Sequence, residues 1–520
     1  MSTAIQEIKK PTKNGVKRLI FVGISLLLEI AFGVALFFWL TEYSTYINLG
    51  ARLLAFILVL ILYRQDRTSA MKMPWVMLIL VFPIFGTVLY VLIGLNAHTF
   101  RMKKRYAAVN DIILPMLPDC NDVLQRMRSE DEDTAAVAAY ISRNSGYPIY
   151  RNCDVTYFES GRQGLAAQLR ELAKAEKFIF MEYFIIENKE SWKLVEDVLI
   201  DRVRAGVEVR MFYDDLGSIG RVSLDFARDL ESKGIHCRAF NPFLPGLNMF
   251  LNNRDHRKIT VIDGKVGFTG GYNIANEYFG ESKKYGKWKD SGVMIKGPAV
   301  NNLTGMFLEM WNAANANDHD DKNFEDFFRD YSGYSDMHRG YVVPYADDPL
   351  DDIHMGEDVY INILNRSNRY CWFITPYLIL SDELLHAFKL AAMRGVDVRI
   401  ITPGIPDKKT IYKVTRSFYP SLVRHGVRVY EYTPGFCHAK MCVSDDKMAT
   451  CGTINLDYRS FYHHFENGCF MSSSDAVFDI KSDFERTFEE CREVTVDYMG
   501  GRLAFNSLEQ LILRLFAGML

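Results

Sequence analysis

The sequence predicts an α/β protein of two pseudo-symmetric halves, each a mixed, mainly parallel sheet flanked by helices, preceded by N-terminal transmembrane helices. Three observations predict it. A His-x-Lys motif of fixed spacing occurs twice. The residues around each copy echo one another. Three long apolar runs are crowded into the first 95 residues.

The apolar region comes first. Residues 1–18 are polar, with Lys9, Lys10, Lys13, Lys17 and Arg18. The run 19–40 carries one charge, Glu29, and is long enough to span a bilayer as a helix. It exceeds the apolar core of a signal peptide and lacks a small-residue cleavage site, so it reads as a retained anchor. Glu29 is costly against lipid and points to a neighbouring helix or to a function. The run 47–63 is interrupted by Asn48 and Arg52, and the run 73–95 holds Pro74, Pro83 and Gly86, which kink or break a helix. The basic residues before the first run place the N-terminus in the cytoplasm. Arg101, Lys103, Lys104 and Arg105 after the third argue for the same side, and a re-entrant third segment reconciles the two signals.

Beyond residue 100 strands alternate with helices. Phe178–Phe184 reads as a buried strand, Trp192–Arg204 as a helix with apolar residues at helical spacing, and Val207–Tyr213 as the next strand. Cys371–Leu378, Leu384–Met393 and Val396–Ile401 repeat the plan. Gly206-Val-Glu-Val-Arg and Gly395-Val-Asp-Val-Arg are nearly one phrase, and Lys233-Gly234-Ile235 answers His425-Gly426-Val427. Such alternation argues a parallel sheet with helices on both faces. The expected division is a membrane region over 1–100, a first half over 101–317, an acidic connector over 318–358 with Pro344 and Pro349, a second half over 359–500, and an amphipathic helix over 501–520. The cluster Asp318-His319-Asp320-Asp321 reads as a solvated loop rather than a metal site. The tail, Leu508–Leu520, suits either a membrane surface or the protein's own body.

The motif carries the chemistry. The first copy is His256, Lys258, Asp263, Gly270 and Asn273; the second is His438, Lys440, Asp445, Gly452 and Asn455. One copy arises by chance in about one chain in ten thousand at average residue usage. Residues two apart on a strand share a face, so each His emerges beside its Lys. An imidazole can attack phosphorus or pass a proton, and an ammonium can hold a phosphate oxygen.

The doubled pattern His-x-Lys-x4-Asp-x6-Gly-x2-Asn resembles the phospholipase D superfamily, from about Arg101 onward. The stretch Pro74-Trp75 … Phe82-Pro83 … Gly86 … Tyr90 … Gly94 looks like the N-terminal segment of cardiolipin synthases. This resemblance implies a phosphatidyltransferase that joins two phosphatidylglycerol molecules into cardiolipin and glycerol through a phosphohistidine. His256, Lys258, Asp263, His438, Lys440 and Asp445 form the implied catalytic set, in which the motif Asp supports the local fold. Superfamily precedent makes His256 the nucleophile and His438 the acid and base, although the local sequence does not decide between them. Asn273 and Asn455 are implied to hold phosphate oxygens. Each imidazole is implied to be oriented by an acid further along, at Asp290 in Trp288-Lys289-Asp290 and Glu466 in Phe465-Glu466-Asn467. No metal or other cofactor is implied.

Two departures stand out. Thr453 replaces the second glycine of Gly270-Gly271, and His463 and His464 precede Phe465-Glu466. A hydrolase using water as acceptor is the alternative within the superfamily, and a catalytically inactive membrane scaffold the alternative outside it. Phosphatidylglycerol, cardiolipin and the bacterial plasma membrane are the implied partners, with the catalytic side cytoplasmic and the oligomeric state open. Nucleic acid is not expected, because 61 basic and 64 acidic residues give a net charge of −3. The nine cysteines contain no Cys-x-x-Cys pair, which argues against a zinc site or a disulfide framework, and Cys437 reads as core.

Overall fold

The computed structural model describes residues 20–21, 23–25, 27–28, 31–32, 34–35, 45–65, 68–94, 97–242, 252–280, 285–314, 321–332, 338–500, 503 and 507–519. Half of the run 19–40 lies among them, and Glu29 lies outside them.

Two sheets share one plan. In the first, the spatial order is Asp154–Phe158, Gly292–Lys296, Val266–Gly270, Lys258–Ile262, Phe178–Tyr183, Glu208–Asp214 and His236–Phe240. In the second, Tyr341–Asp347, His464–Ser472, Met448–Gly452, Met441–Ser444, Tyr370–Ile374, Asp397–Pro403 and Arg428–Tyr432 take the same places, and Tyr150–Arg151 and Cys491–Glu493 extend the edges. The repeated phrases are thus repeated strands.

The sheets are mixed but not mainly parallel. In the first sheet only Phe178–Tyr183, Glu208–Asp214 and His236–Phe240 run parallel; the other pairings are antiparallel. The cause is the motif itself. Its strand turns back at once through Asp263 and Gly264, both at positive φ, and such a tight turn joins antiparallel neighbours.

The boundaries also differ from the expected division. Tyr341–Asp347, inside the acidic stretch, is a buried strand paired along its length with His464–Ser472. Pro344 and the flanking acids mask its pattern. Helices Asn121–Glu130 and Glu132–Ser145 fall within the stretch expected to form the first half, yet pack into the core of the second beside Val343, Val359 and Ile363. Asp321 pairs bidentately with Arg210 at 2.6 and 2.9 Å, whereas residues 318–320 lie outside the described residues. Every residue of helix Val300–Ala313 is buried, and it contacts both Lys258–Ile262 and Tyr341–Asp347, so one core runs through both halves.

The N-terminal region is helical over Thr45–Arg64. The third apolar run forms two helices, Ser69–Val81 and Pro83–Gly94, broken at Phe82. They fold back on one another: Trp75 meets Tyr90 at 5.4 Å, and a Cβ at Gly86 would lie 2.6 Å from the Leu78 carbonyl oxygen. With 13 and 12 residues each is about 20 Å long, against about 30 Å of bilayer core. Among the described residues no helix is long and apolar enough to cross a membrane. The tail helix Leu508–Leu515 opens on a capping box from Ser507 and packs on helix Lys409–Val423, with Arg514 over Phe418 at 4.1 Å. Gly518 lies against Ala70 of the hairpin, while Leu508, Leu511, Ile512 and Phe516 stay exposed.

Candidate active site

The two halves exchange backbone at the seam. Arg254–Asp255 pairs in parallel with His464–Phe465, and His256 N–H donates to the Phe465 carbonyl at 2.9 Å. In the mirrored place His438 N–H donates to the Lys289 carbonyl at 2.6 Å, and Lys289 N–H to that of Phe436 at 3.0 Å. The exchange decides which acid meets which imidazole. His256 Nδ1 lies 2.9 Å from Glu466 Oε2, and His438 Nδ1 lies 2.9 Å from Asp290 Oδ2. Each ring is therefore paired with the carboxylate of the opposite half. A carboxylate on Nδ1 selects the tautomer whose Nε2 carries the lone pair.

Both imidazoles line one cavity of about 530 Å³, as do Asn273 and Asn455. Phe184 stands edge-on to His256 at 4.9 Å and Tyr278 edge-on to His438 at 5.1 Å. Lys440 Nζ lies 2.8 Å from His438 Nδ1 and 3.0 Å from Nε2, and Lys258 Nζ donates to the His256 carbonyl. Asn273 Oδ1 accepts from Ile185 N–H at 2.9 Å while its amide donates to Tyr278 Oη, also at 2.9 Å. Asn455 Oδ1 is buried and among the described residues has no hydrogen-bond partner.

Burial disfavours charge throughout the site. It pushes the Lys258 ammonium down to about 7 and that of Lys440 to about 8, against the opposing pull of Glu466 and Asp290. It takes His438 to about 4, helped by Lys440, and His256 well below the usual imidazole value, helped by Lys258. Burial opposes ionisation of Asp290 too, but His438 and Lys440 hold its carboxyl below the usual range. Burial and the neighbouring ammonium groups thus disfavour the charged form of both imidazoles in the free protein, and an arriving phosphate would stabilise the cations of the site.

Asp263 and Asp445, counted with the catalytic set on motif grounds, are occupied elsewhere. Asp263 accepts from the backbone N–H groups of Glu176, Lys177 and Phe178 at 2.9, 2.7 and 2.9 Å. Asp445 accepts from those of Asn368, Arg369 and Tyr370 at 2.6, 2.9 and 2.8 Å. Each fastens the start of the strand beside the motif strand. The motif glycines permit close approach: a Cβ on Gly270 would meet Ser291 O at 2.5 Å, and one on Gly452 would meet Asn467 O at 2.5 Å. Thr453 has its own reason, since its hydroxyl donates to Glu466. In the first copy Gly271 leaves room for Asp290, where a Cβ would lie 2.1 Å from Oδ1.

Sequence reasoning missed Arg257, which faces away from His256 and Lys258. It is fully buried, pairs with Glu182 at 2.6 Å and donates to Met306 O at 3.2 Å, so it ties the motif to the central helix. The alternation of a strand was the available signal. It also missed Phe184, Tyr278, Tyr377 and Phe436 as lining, because rings near a site carry no spacing rule.

Among the described residues His256, His464 and Glu466 bring three potential ligand atoms within 4.8 Å of one another. Lys258 and Lys440 beside them disfavour a divalent cation and favour an anion.

The family described as cardiolipin synthase, PLD-like domain, matches residues 169–311 and 360–491, more than half of the chain. The chain belongs to this phospholipase D-like family. The family described as phospholipase D-nuclease N-terminal matches residues 53–94, the helical region before the first half. An uncharacterised protein of Streptococcus mutans is 40% identical over 89% of this chain and 99% of its own length. Cardiolipin synthase 2 of Bacillus cereus is 30% identical over 90% of each chain. The crystal structure of phosphatidylserine synthase from Haemophilus influenzae matches 74% of this chain and 97% of its own with a TM-score of 0.54 at 12% identity, which shows the shared fold. Family membership makes the chain a phosphatidyltransferase of the phospholipase D type.

Proposed function

We propose that this chain makes cardiolipin from two molecules of phosphatidylglycerol. His256 Nε2 attacks the phosphorus of the first. The bond to the glycerol oxygen breaks, and that oxygen takes the Nε2 proton of His438, which the ring takes up from solvent when the anionic donor phosphate binds, as glycerol leaves. The hydroxyl of the second phosphatidylglycerol then gives its proton to His438 and attacks the phosphohistidine, which releases cardiolipin and restores His256. Splitting the displacement in two lets one pocket serve two successive alcohols. Lys258, Lys440, Asn273 and Asn455 would hold the non-bridging oxygens as charge builds there.

The observation that carries this reading is the pair of imidazoles on one cavity, each with a carboxylate 2.9 Å from Nδ1. Both substrates are lipids, which accords with the exposed Leu53, Phe56, Leu60 and Ile61 of helix Thr45–Arg64. On this reading the N-terminal region and the short hairpin rest in a bacterial plasma membrane, and the cavity opens on its cytoplasmic side. Purified protein given phosphatidylglycerol alone should yield cardiolipin and glycerol, and His256→Ala should yield neither. Phosphatidic acid as the main product would instead indicate a hydrolase, and full activity in His256→Ala would remove the mechanism.

A further inference from the structure

A lipid that accepts the phosphatidyl group brings a phosphate of its own. In phosphatidylglycerol the attacking hydroxyl stands three carbons from that phosphate. When the hydroxyl reaches the phosphohistidine, the second phosphate is held nearby, and an anion in a part-buried cavity needs its own donors.

Most of the cavity's cations are engaged. Just outside its lining, Lys258 donates to the His256 carbonyl and Lys440 lies against the His438 ring. Arg221 faces Glu277 at 3.0 Å and Glu187 at 3.8 Å, and Arg254 reaches Asp214 at 3.3 Å and Asn241 O at 2.9 Å. Lys408 differs. It lines the cavity, is exposed, and among the described residues has no ion pair. Its ammonium lies 5.3 Å from the centre of the Tyr377 ring, and its charge is felt at both His256 and Asp457. It also caps helix Lys409–Val423, whose first turn holds no acid and no side-chain cap, so the positive end of that helix adds to the ammonium.

An independent observation lies on the same cavity. His464 is only 8% exposed, yet among the described residues neither ring nitrogen has a hydrogen-bond partner. Its nearest carboxylate oxygen, Glu466 Oε1, is 3.7 Å from Nδ1. A buried imidazole with both nitrogens idle is costly unless something that enters the cavity satisfies it. Burial drives it down to about 3, so the neutral ring has one N–H to donate.

We propose that Lys408 and His464 form a second subsite that holds the phosphate of the acceptor lipid. This rests on the transferase reading above. The acceptor phosphate undergoes no bond change there; the subsite places the attacking hydroxyl and favours an anionic lipid over a neutral alcohol or water.

Competition between acceptors tests this with the donor held constant. Vesicles of phosphatidylglycerol are supplied with ethanol, and the ratio of cardiolipin to phosphatidylethanol is measured. Lys408→Gln should lower that ratio about three- to tenfold, the size of one partly screened ionic contact, and Lys408→Arg should restore it. His464→Ala should lower it in the same direction. A ratio unchanged in Lys408→Gln and His464→Ala, with cardiolipin still made by the unaltered protein, overturns the subsite alone. Phosphatidic acid as the only product of the unaltered protein overturns the subsite and the transferase reading together.

Discussion

Because each imidazole borrows its carboxylate from the other half, Glu466→Gln and Asp290→Asn should damage different steps. Glu466 is fully buried, sits 2.9 Å from His256 Nδ1, and also accepts from the Thr453 hydroxyl. Glutamine keeps the shape but loses the charge that orients the ring and supports the cationic phosphohistidine. A buried charge-assisted hydrogen bond is worth about 1.5–3 kcal/mol, or about 10- to 150-fold in rate. With a phosphatidyl donor carrying a p-nitrophenol leaving group, which needs no proton, nitrophenolate release and the acid-labile phosphoenzyme can be followed together. Glu466→Gln should slow the release by that factor. Asp290→Asn acts on His438, so the burst should survive while the phosphoenzyme persists and turnover falls. If Asp290→Asn abolished the burst and Glu466→Gln spared it, the assignment of His256 as nucleophile would be reversed. Equal loss of the burst in both would refute the division of labour.

Two further outcomes follow from the geometry. Asp263→Ala strands three amides at the head of strand Phe178–Tyr183, that of Phe178 buried, and should cost about 1–3 kcal/mol in urea unfolding, the range for one buried unsatisfied group, with Asp445→Ala similar; wild-type stability in either would show that the fastening is dispensable. The depressed ammonium groups set a pH dependence. Lys258 and Lys440 lose protons near 7 and 8 in the free protein, and a bound phosphodiester raises both, so binding should take up protons above pH 7 and weaken as pH rises through 8. Calorimetry of a non-reactive phosphodiester in buffers of different ionisation enthalpy would reveal the uptake, and pH-independent binding between 6.5 and 9 would contradict it. For folding the sign is opposite: ammonium groups with folded values below the unfolded one oppose folding at low pH, and that penalty fades as pH climbs from about 7 towards 10.4.

What the sequence revealed follows interaction range. The spacing of His256 and Lys258 is a local fact, and it places both beside one strand without further help. The echo of Gly206-Val-Glu-Val-Arg in Gly395-Val-Asp-Val-Arg marks strands that occupy matching places in two sheets of equal order. Pairing is not local. Asp263-Gly264 announces the antiparallel return to Val266–Gly270, but nothing near Lys258–Ile262 announces that its other neighbour, Phe178–Tyr183, is antiparallel too, and Pro344 and the flanking acids mask the strand Tyr341–Asp347. Asp290 and Glu466 could be located from their flanking residues, but not matched to a partner ring, since that depends on which backbone edges meet at the seam. The tail packs one face on the protein, as one of its two sequence readings expects, and leaves the other face bare.

The exchange of edges at residues 254–256 and 436–438 makes neither repeat self-sufficient. A break between them would leave every imidazole without its acid and every acid without its imidazole, although each sheet kept all its strands. Selection therefore cannot tune one repeat alone: a change at Asp290 is felt by a histidine 148 residues away, and one at Glu466 by a histidine 210 residues back. The duplicated units are bound to drift as a couple.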